Sequence, residues 1–140
     1  MLYSKTAKYA VLALAEIANG DGNAPMSTRR IADAAEIPYP LLAKTLGRLR
    51  AMGMVRATRG KSGGIVLARP ASKITILDVV IALDGKGLLN DCPLTIEPCE
   101  CIRPCGLHPL WKPARDAVIN FLRTTTIQAV AEARAEYTTA

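Results

Sequence analysis

Apolar residues return at intervals of three and four near the start of the chain, where Ala7, Ala10, Val11, Leu14, Ala15 and Ala18 share one helical stripe. Ser4 can cap that helix through its hydroxyl, and Asn19-Gly20-Asp21-Gly22 supplies the stop. Ser27 opens a second, shorter helix carrying Ile31, Ala32 and Ala35. The run Glu36-Ile37-Pro38-Tyr39-Pro40 breaks it, because a residue before proline is pushed out of the α region, while Pro40 suits the first turn of a third helix. That helix is predicted to run to about residue 52, with Leu42, Leu46 and Leu49 facing inward and Gly53 ending it.

The pattern then shortens. Residues 54–58 and 65–68 read as two strands, joined by the basic, glycine-rich tip Arg59-Gly60-Lys61-Ser62-Gly63-Gly64. Glycine there permits positive φ and close approach of the backbone to another molecule. Thr75-Ile76-Leu77-Asp78 has the form of a capping box, with aspartate in place of glutamate, and predicts a helix through Leu83. From 84 to 109 periodicity disappears among Gly, Pro and Cys, and an irregular stretch of that length is often functional. Helical spacing resumes with Leu110, Ala114, Ala117, Val118 and Phe121.

Helix, short helix, turn, helix and a two-stranded wing is the order of a winged helix-turn-helix, a mainly α fold with a small β wing. The expected organisation is a DNA-binding region over 1–84, a cysteine-rich loop over 85–109, and a long dimerisation helix with a tail over 110–140. A helix braced by a second one fits the major groove. Residues 40–50 form the expected recognition helix, with Tyr39, Pro40, Ala43 and Lys44 at base edges and Arg48 and Arg50 nearer phosphates or the protein's own acidic groups. Ser27 and Thr28 join the candidate interface from the preceding helix. In the wing, Arg59, Gly60, Lys61, Ser62 and Gly63 would enter a minor groove or grip a backbone. A plain hairpin with solvated charges is the alternative.

Charge supports the nucleic-acid reading without deciding it. Residues 1–70 carry 11 Lys and Arg against 4 Asp and Glu, whereas residues 71–140 carry 7 against 8. A basic half favours a polyanion, since each phosphate neutralised releases a counterion, although a solvated basic surface would look the same. No apolar run approaches the roughly 20 residues of a membrane span, and the N-terminus lacks the h-region of a secretory signal. A cytoplasmic location is therefore expected.

All four cysteines, Cys92, Cys99, Cys101 and Cys105, lie within one short segment, and the single histidine, His108, follows directly. Disulfides that staple small secreted domains tie distant segments together, so this clustering points to metal or redox chemistry. Zinc is a competitor, because Cys and His are its ordinary ligands, but no C-x2-C knuckle is present. A disulfide switch is another. An enzyme with a cysteine nucleophile is disfavoured: three further thiols crowd the lone histidine, and sequence proximity alone does not place a base within reach of a thiol.

Taken together, Leu2-Tyr3-Ser4-Lys5, Tyr9-Ala10-Val11, Arg48-Leu49-Arg50 with Gly53, the wing 59–64, and Cys92, Cys99, Cys105, His108 and Trp111 resemble the winged-helix iron–sulfur regulators that include IscR, NsrR and RirA. The resemblance spans nearly the whole chain. It implies a homodimer formed through the long C-terminal helix, binding a pseudo-palindromic DNA operator. It also implies an iron–sulfur cluster, expected as [2Fe-2S] rather than [4Fe-4S], held by Cys92, Cys99 and Cys105. His108 stands where IscR-like members carry their fourth ligand. NsrR-like members use an acidic residue of the partner's first helix, where this chain has Lys5 and Lys8. Cys101 departs from the family pattern and is left as an alternative fourth ligand, a resolving thiol or a bystander. Leu110, Ala114, Ala117, Val118 and Phe121 are the expected dimer contacts, and Trp111 is expected to be a packing anchor.

Overall fold

The computed structural model describes residues 2–20, 24–99 and 105–139. Helix α1 (Lys5–Asn19) is capped by Ser4, whose hydroxyl accepts from the Ala7 N–H, and Ala10, Ala13 and Leu14 are fully buried. Its small residues let α2 (Thr28–Ala35) and α3 (Tyr39–Ala51) approach closely, and both pack on it. Ser27 caps α2 by accepting from the Arg30 N–H at 3.1 Å. Glu36 ends that helix in the left-handed region (φ 55), and the Ile37 N–H returns to the Ala32 carbonyl at 2.9 Å. This tight reversal buries Ile37 and aims Pro38 and Tyr39 into the start of α3.

The wing pairs β1 (Val55–Thr58) with β2 (Gly64–Leu67), antiparallel, with Val55 opposite Leu67 and Thr58 opposite Gly64. Met26, just ahead of α2, adds a bridge to Ile65 through two backbone hydrogen bonds of 3.0 and 2.7 Å. The wing is thereby fastened to the helix-turn-helix. A 3-10 turn (Ala71–Lys73) leads to α4 (Ile76–Asp84), which opens with the full reciprocal capping box of Thr75 and Asp78. Mainly helical with one small antiparallel sheet, the chain is a winged helix with a C-terminal extension.

That extension is two helices, not one. Helix α5 (His108–Thr124) begins two residues before the expected start at 110, so His108 and Pro109 lie in its first turn. The chain turns at Thr125 and Thr126, and α6 (Ile127–Thr139) follows where the sequence suggested only a tail. Helix α6 packs chiefly on α1, with Ile127 fully buried and Ala131 nearly so. The α5–α6 junction is stitched to the start of α4 by Ile76 N–H to Thr125 O (3.0 Å) and Ile127 N–H to Ile74 O (2.8 Å). Arg134 closes the far end with a forked hydrogen bond to Glu16 (2.8 and 3.1 Å). Among the described residues between α4 and α5, a 3-10 turn (Gly87–Asn90) is the regular element. No helix among the described residues is long and apolar enough to cross a membrane.

Candidate nucleic-acid interface and cysteine site

Helix α3 buries Leu42, Thr45, Leu46 and Leu49 against the core, which leaves Tyr39, Pro40, Ala43, Lys44, Arg48 and Arg50 exposed on one outer surface. Tyr39 at its first turn lies under the guanidinium of Arg29 from α2, 4.3 Å from the ring centroid. Such stacking restricts both side chains. Arg29 escaped the sequence reading, and helical spacing could not have revealed it, because the contact spans two helices.

Arg48 has a different task. Its Nη2 donates to the Leu83 carbonyl at 2.6 Å, at the C-terminal end of α4, where a cation opposes the partial negative charge of the last carbonyls. Arg48 thus joins the recognition helix to α4, whereas Lys44 and Arg50 remain on the outer surface. In the wing, Arg59, Gly60, Lys61 and Ser62 are exposed, and Gly60 takes φ 102. Gly63 and Gly64 answer to the protein's own backbone. A Cβ on Gly63 would strike the Thr58 carbonyl, and one on Gly64 would lie 2.5 Å from the Met26 carbonyl oxygen. Ser27 is committed to capping α2, and Thr28 is that helix's first residue, half-buried.

Beyond α4, Cys92, Cys99, Cys105 and His108 line a single cavity of about 270 Å³, walled by Pro93, Leu94, Leu107, Leu110 and Trp111. Local hydrogen bonds place each donor. Cys99 N–H donates to Asn90 O (2.7 Å), His108 N–H to Cys105 O (3.0 Å), and Cys92 N–H to the Asp91 carboxylate (3.0 Å). Trp111 anchors the first turns of α5 by donating from Nε1 to Asp91 O at 2.8 Å, which meets the expected packing role and adds a polar one. The Cys99 Sγ lies 3.4 Å from His108 Nδ1. A hydrogen bond from the Thr95 hydroxyl, and then one from the Leu94 N–H, pull the Cys92 thiol below its ordinary pKa. The Thr95 hydroxyl also lies 3.1 Å from the Glu97 carbonyl oxygen, so its one proton serves either acceptor. Cys101 lies outside the described residues. Among the described residues, no three ligating side chains converge closely enough to hold one metal ion.

The stripe of α5 divides. Val118 packs against the core, while Leu110 (74% exposed), Ala114, Ala117 and Phe121 (56% exposed) face outward with no covering element among the described residues.

A model of the Rrf2 family, described as an iron-dependent transcriptional regulator, matches residues 3–133. The chain belongs to the Rrf2 family. Among relatives of this Rrf2 chain, an HTH-type transcriptional regulator of Aquifex aeolicus is 32% identical over 130 residues, covering 91% of this chain and 90% of the relative. The HTH-type transcriptional repressor NsrR of Streptomyces coelicolor is 31% identical over 107 residues, covering 76% of this chain and 72% of that one. The solved structure of CymR, the global cysteine regulator of B. subtilis, superposes with a TM-score of 0.78 at 27% identity, over 92% of this chain and 95% of that one. This Rrf2 protein is accordingly a transcriptional regulator with a winged-helix fold.

Proposed function

We infer that this Rrf2 protein is a dimeric, cytoplasmic DNA-binding regulator that senses iron supply, redox state or nitric oxide through an iron–sulfur cluster, [2Fe-2S] in preference to [4Fe-4S], held by Cys92, Cys99, Cys105 and His108. The observation that carries this reading is the gathering of all four donors around one apolar-walled cavity next to the start of α5. Thiolates with imidazole form a donor set suited to such a cluster, the neutral imidazole in place of a thiolate making the site less negative and its potential higher, while apolar walls restrict water. The cluster would supply redox and ligand-exchange chemistry. The chain's own part is to link the site to α5, because His108 lies in the first turn of that helix and Trp111 grips the residue before Cys92. The DNA-facing surface comprises Tyr39, Pro40, Ala43 and Lys44 on α3 with Arg59, Lys61 and Ser62 on the wing, and Arg29 joins them through Tyr39.

The test is purification without oxygen, followed by a visible absorption spectrum and assays of iron and acid-labile sulfide. Brown protein with both elements is expected, and Cys99→Ala should lose the colour while remaining folded. Protein that stays colourless after attempted reconstitution overturns the cluster. The specific support for a second reading is the Cys99–His108 contact of 3.4 Å, an arrangement equally able to serve thiol or zinc sensing. Zinc, or reversible disulfide formation without metal, would establish that alternative.

A further inference from the structure

Beside the cysteine cavity lies a second one, of about 350 Å³, walled by Leu2, Leu88, Pro93, Trp111 and Val118, with Arg115 and Asp91 as its charged members. Arg115 is 5% exposed, and its Nε has no hydrogen-bond partner among the described residues. Among the described residues, one long bond, Nη1 to Asp91 O at 3.4 Å, is the hydrogen bond its guanidinium makes, and no carboxylate lies within ion-pair distance of it. Its guanidinium is thus a buried donor group that lacks a counter-charge at hydrogen-bond distance among the described residues. Charges in such settings are paired or neutralised by a bound counter-charge.

We propose that this cavity binds a small organic monocarboxylate, its carboxylate on Arg115 and its apolar body against Leu88, Trp111 and Val118. A single guanidinium matches one carboxylate through paired charge-assisted hydrogen bonds. Asp91 in the same lining works against dianions such as phosphate. Its carboxylate is turned to the Cys92 N–H at 3.0 Å, away from ion pairing with Arg115. Occupancy reaches the cysteine loop by a short path. Arg115 and Trp111 both donate to the Asp91 carbonyl, and Pro93 and Trp111 wall both cavities. A ligand that captures Arg115 leaves Trp111 as the holder of that carbonyl. The binding claim stands apart from the cluster; its consequence for signalling rests on the sensor reading above.

Trp111 is the chain's single tryptophan, so its emission reports on the cavity directly. The full chain is titrated with 3-methylbutanoate and 4-methylpentanoate, and with the corresponding neutral amides, at constant ionic strength. Saturable emission changes are expected with the acids. About tenfold or weaker response is expected from the amides, the scale set by losing one charge-assisted pair. Arg115→Met should remove the response, and Arg115→Lys should retain part of it. Leu88→Phe narrows the cavity while leaving Arg115 in place and should also block binding, so the claim does not hang on an Arg115 variant that fails to fold. No saturable change with either acid overturns the proposal, as does an equal response to the amides. A weaker self-association in Arg115→Met, without any response to free acid, overturns it too, by making a second copy the source of the carboxylate. None of these readouts needs iron or operator DNA, so the proposal fails or survives separately from the sensor reading.

Discussion

Two basic residues one turn apart on α3 illustrate how differently equal charges are used. Lys44 is exposed on the outer surface of α3, while Arg48 holds the Leu83 carbonyl at the end of α4. Lys44→Ala should leave the unfolding free energy within about 0.5 kcal/mol of the parent, as exposed substitutions do, and weaken operator binding by about 1–3 kcal/mol. Arg48→Ala should show the opposite order, losing roughly 1–2 kcal/mol of stability from a charge-assisted hydrogen bond at a helix end. Denaturant titrations alongside band-shift measurements separate the two; a stable Arg48→Ala protein with ruined DNA binding would return Arg48 to the interface. The sequence showed that both residues lay off the buried stripe, but a bond between residues 35 positions apart has no local signature. The wing glycines make the same point. Their run marked a tip, and Gly60 does take positive φ. The need for glycine at 63 and 64, however, comes from the Thr58 and Met26 backbones, the latter reaching the wing from another part of the chain.

At the scale of elements, what could be read was what has a strong local pattern: the caps at Ser4, Ser27 and Thr75, the proline break before α3, and the buried leucine stripe of α3. Helix α6 was missed because its Gln128, Glu132, Arg134 and Glu136 spread polar groups round the helix, and among its described side chains only Ile127 and Ala131 are buried. Its stability is borrowed from α1 and from the junction with α4, which is how most short helices persist. Ile127→Ala removes a fully buried side chain at the point where Ile127 N–H bonds Ile74 O. A loss of about 2–5 kcal/mol is expected, read as a fall in the denaturation midpoint. Were the loss under about 0.5 kcal/mol, the typical scatter of surface substitutions, α6 would be an ornament rather than part of the core. The cysteine loop lies between these cases. Its residue types announced a donor set, yet the cavity depends on backbone bonds from Cys99 N–H to Asn90 O and from His108 N–H to Cys105 O and on Trp111 reaching Asp91 O.

The whole molecule leaves one face unexplained within a single chain. Leu107, Leu110 and Phe121 are each at least half exposed, and Ala114 and Ala117 lie between the last two along α5. Contiguous apolar surface of this kind marks an interaction site. A second copy is the occupant we propose, because a palindromic operator requires two recognition helices about one helical turn apart, roughly 34 Å, which a two-fold dimer can supply and a single chain cannot. The interface would also set the two cysteine cavities beside it, Leu110 being a wall of one and a contact of the other. Phe121→Asp tests this without touching the core, since Leu122, not Phe121, fills the interior at that turn. The variant should remain folded by circular dichroism, sediment as a monomer, and lose about 10²–10⁴-fold in affinity for a palindromic operator through lost bivalency. Affinity for a single half-site should change little. A variant that sediments as a dimer with unaltered operator affinity would move the interface off α5 and leave that apolar face to some other partner.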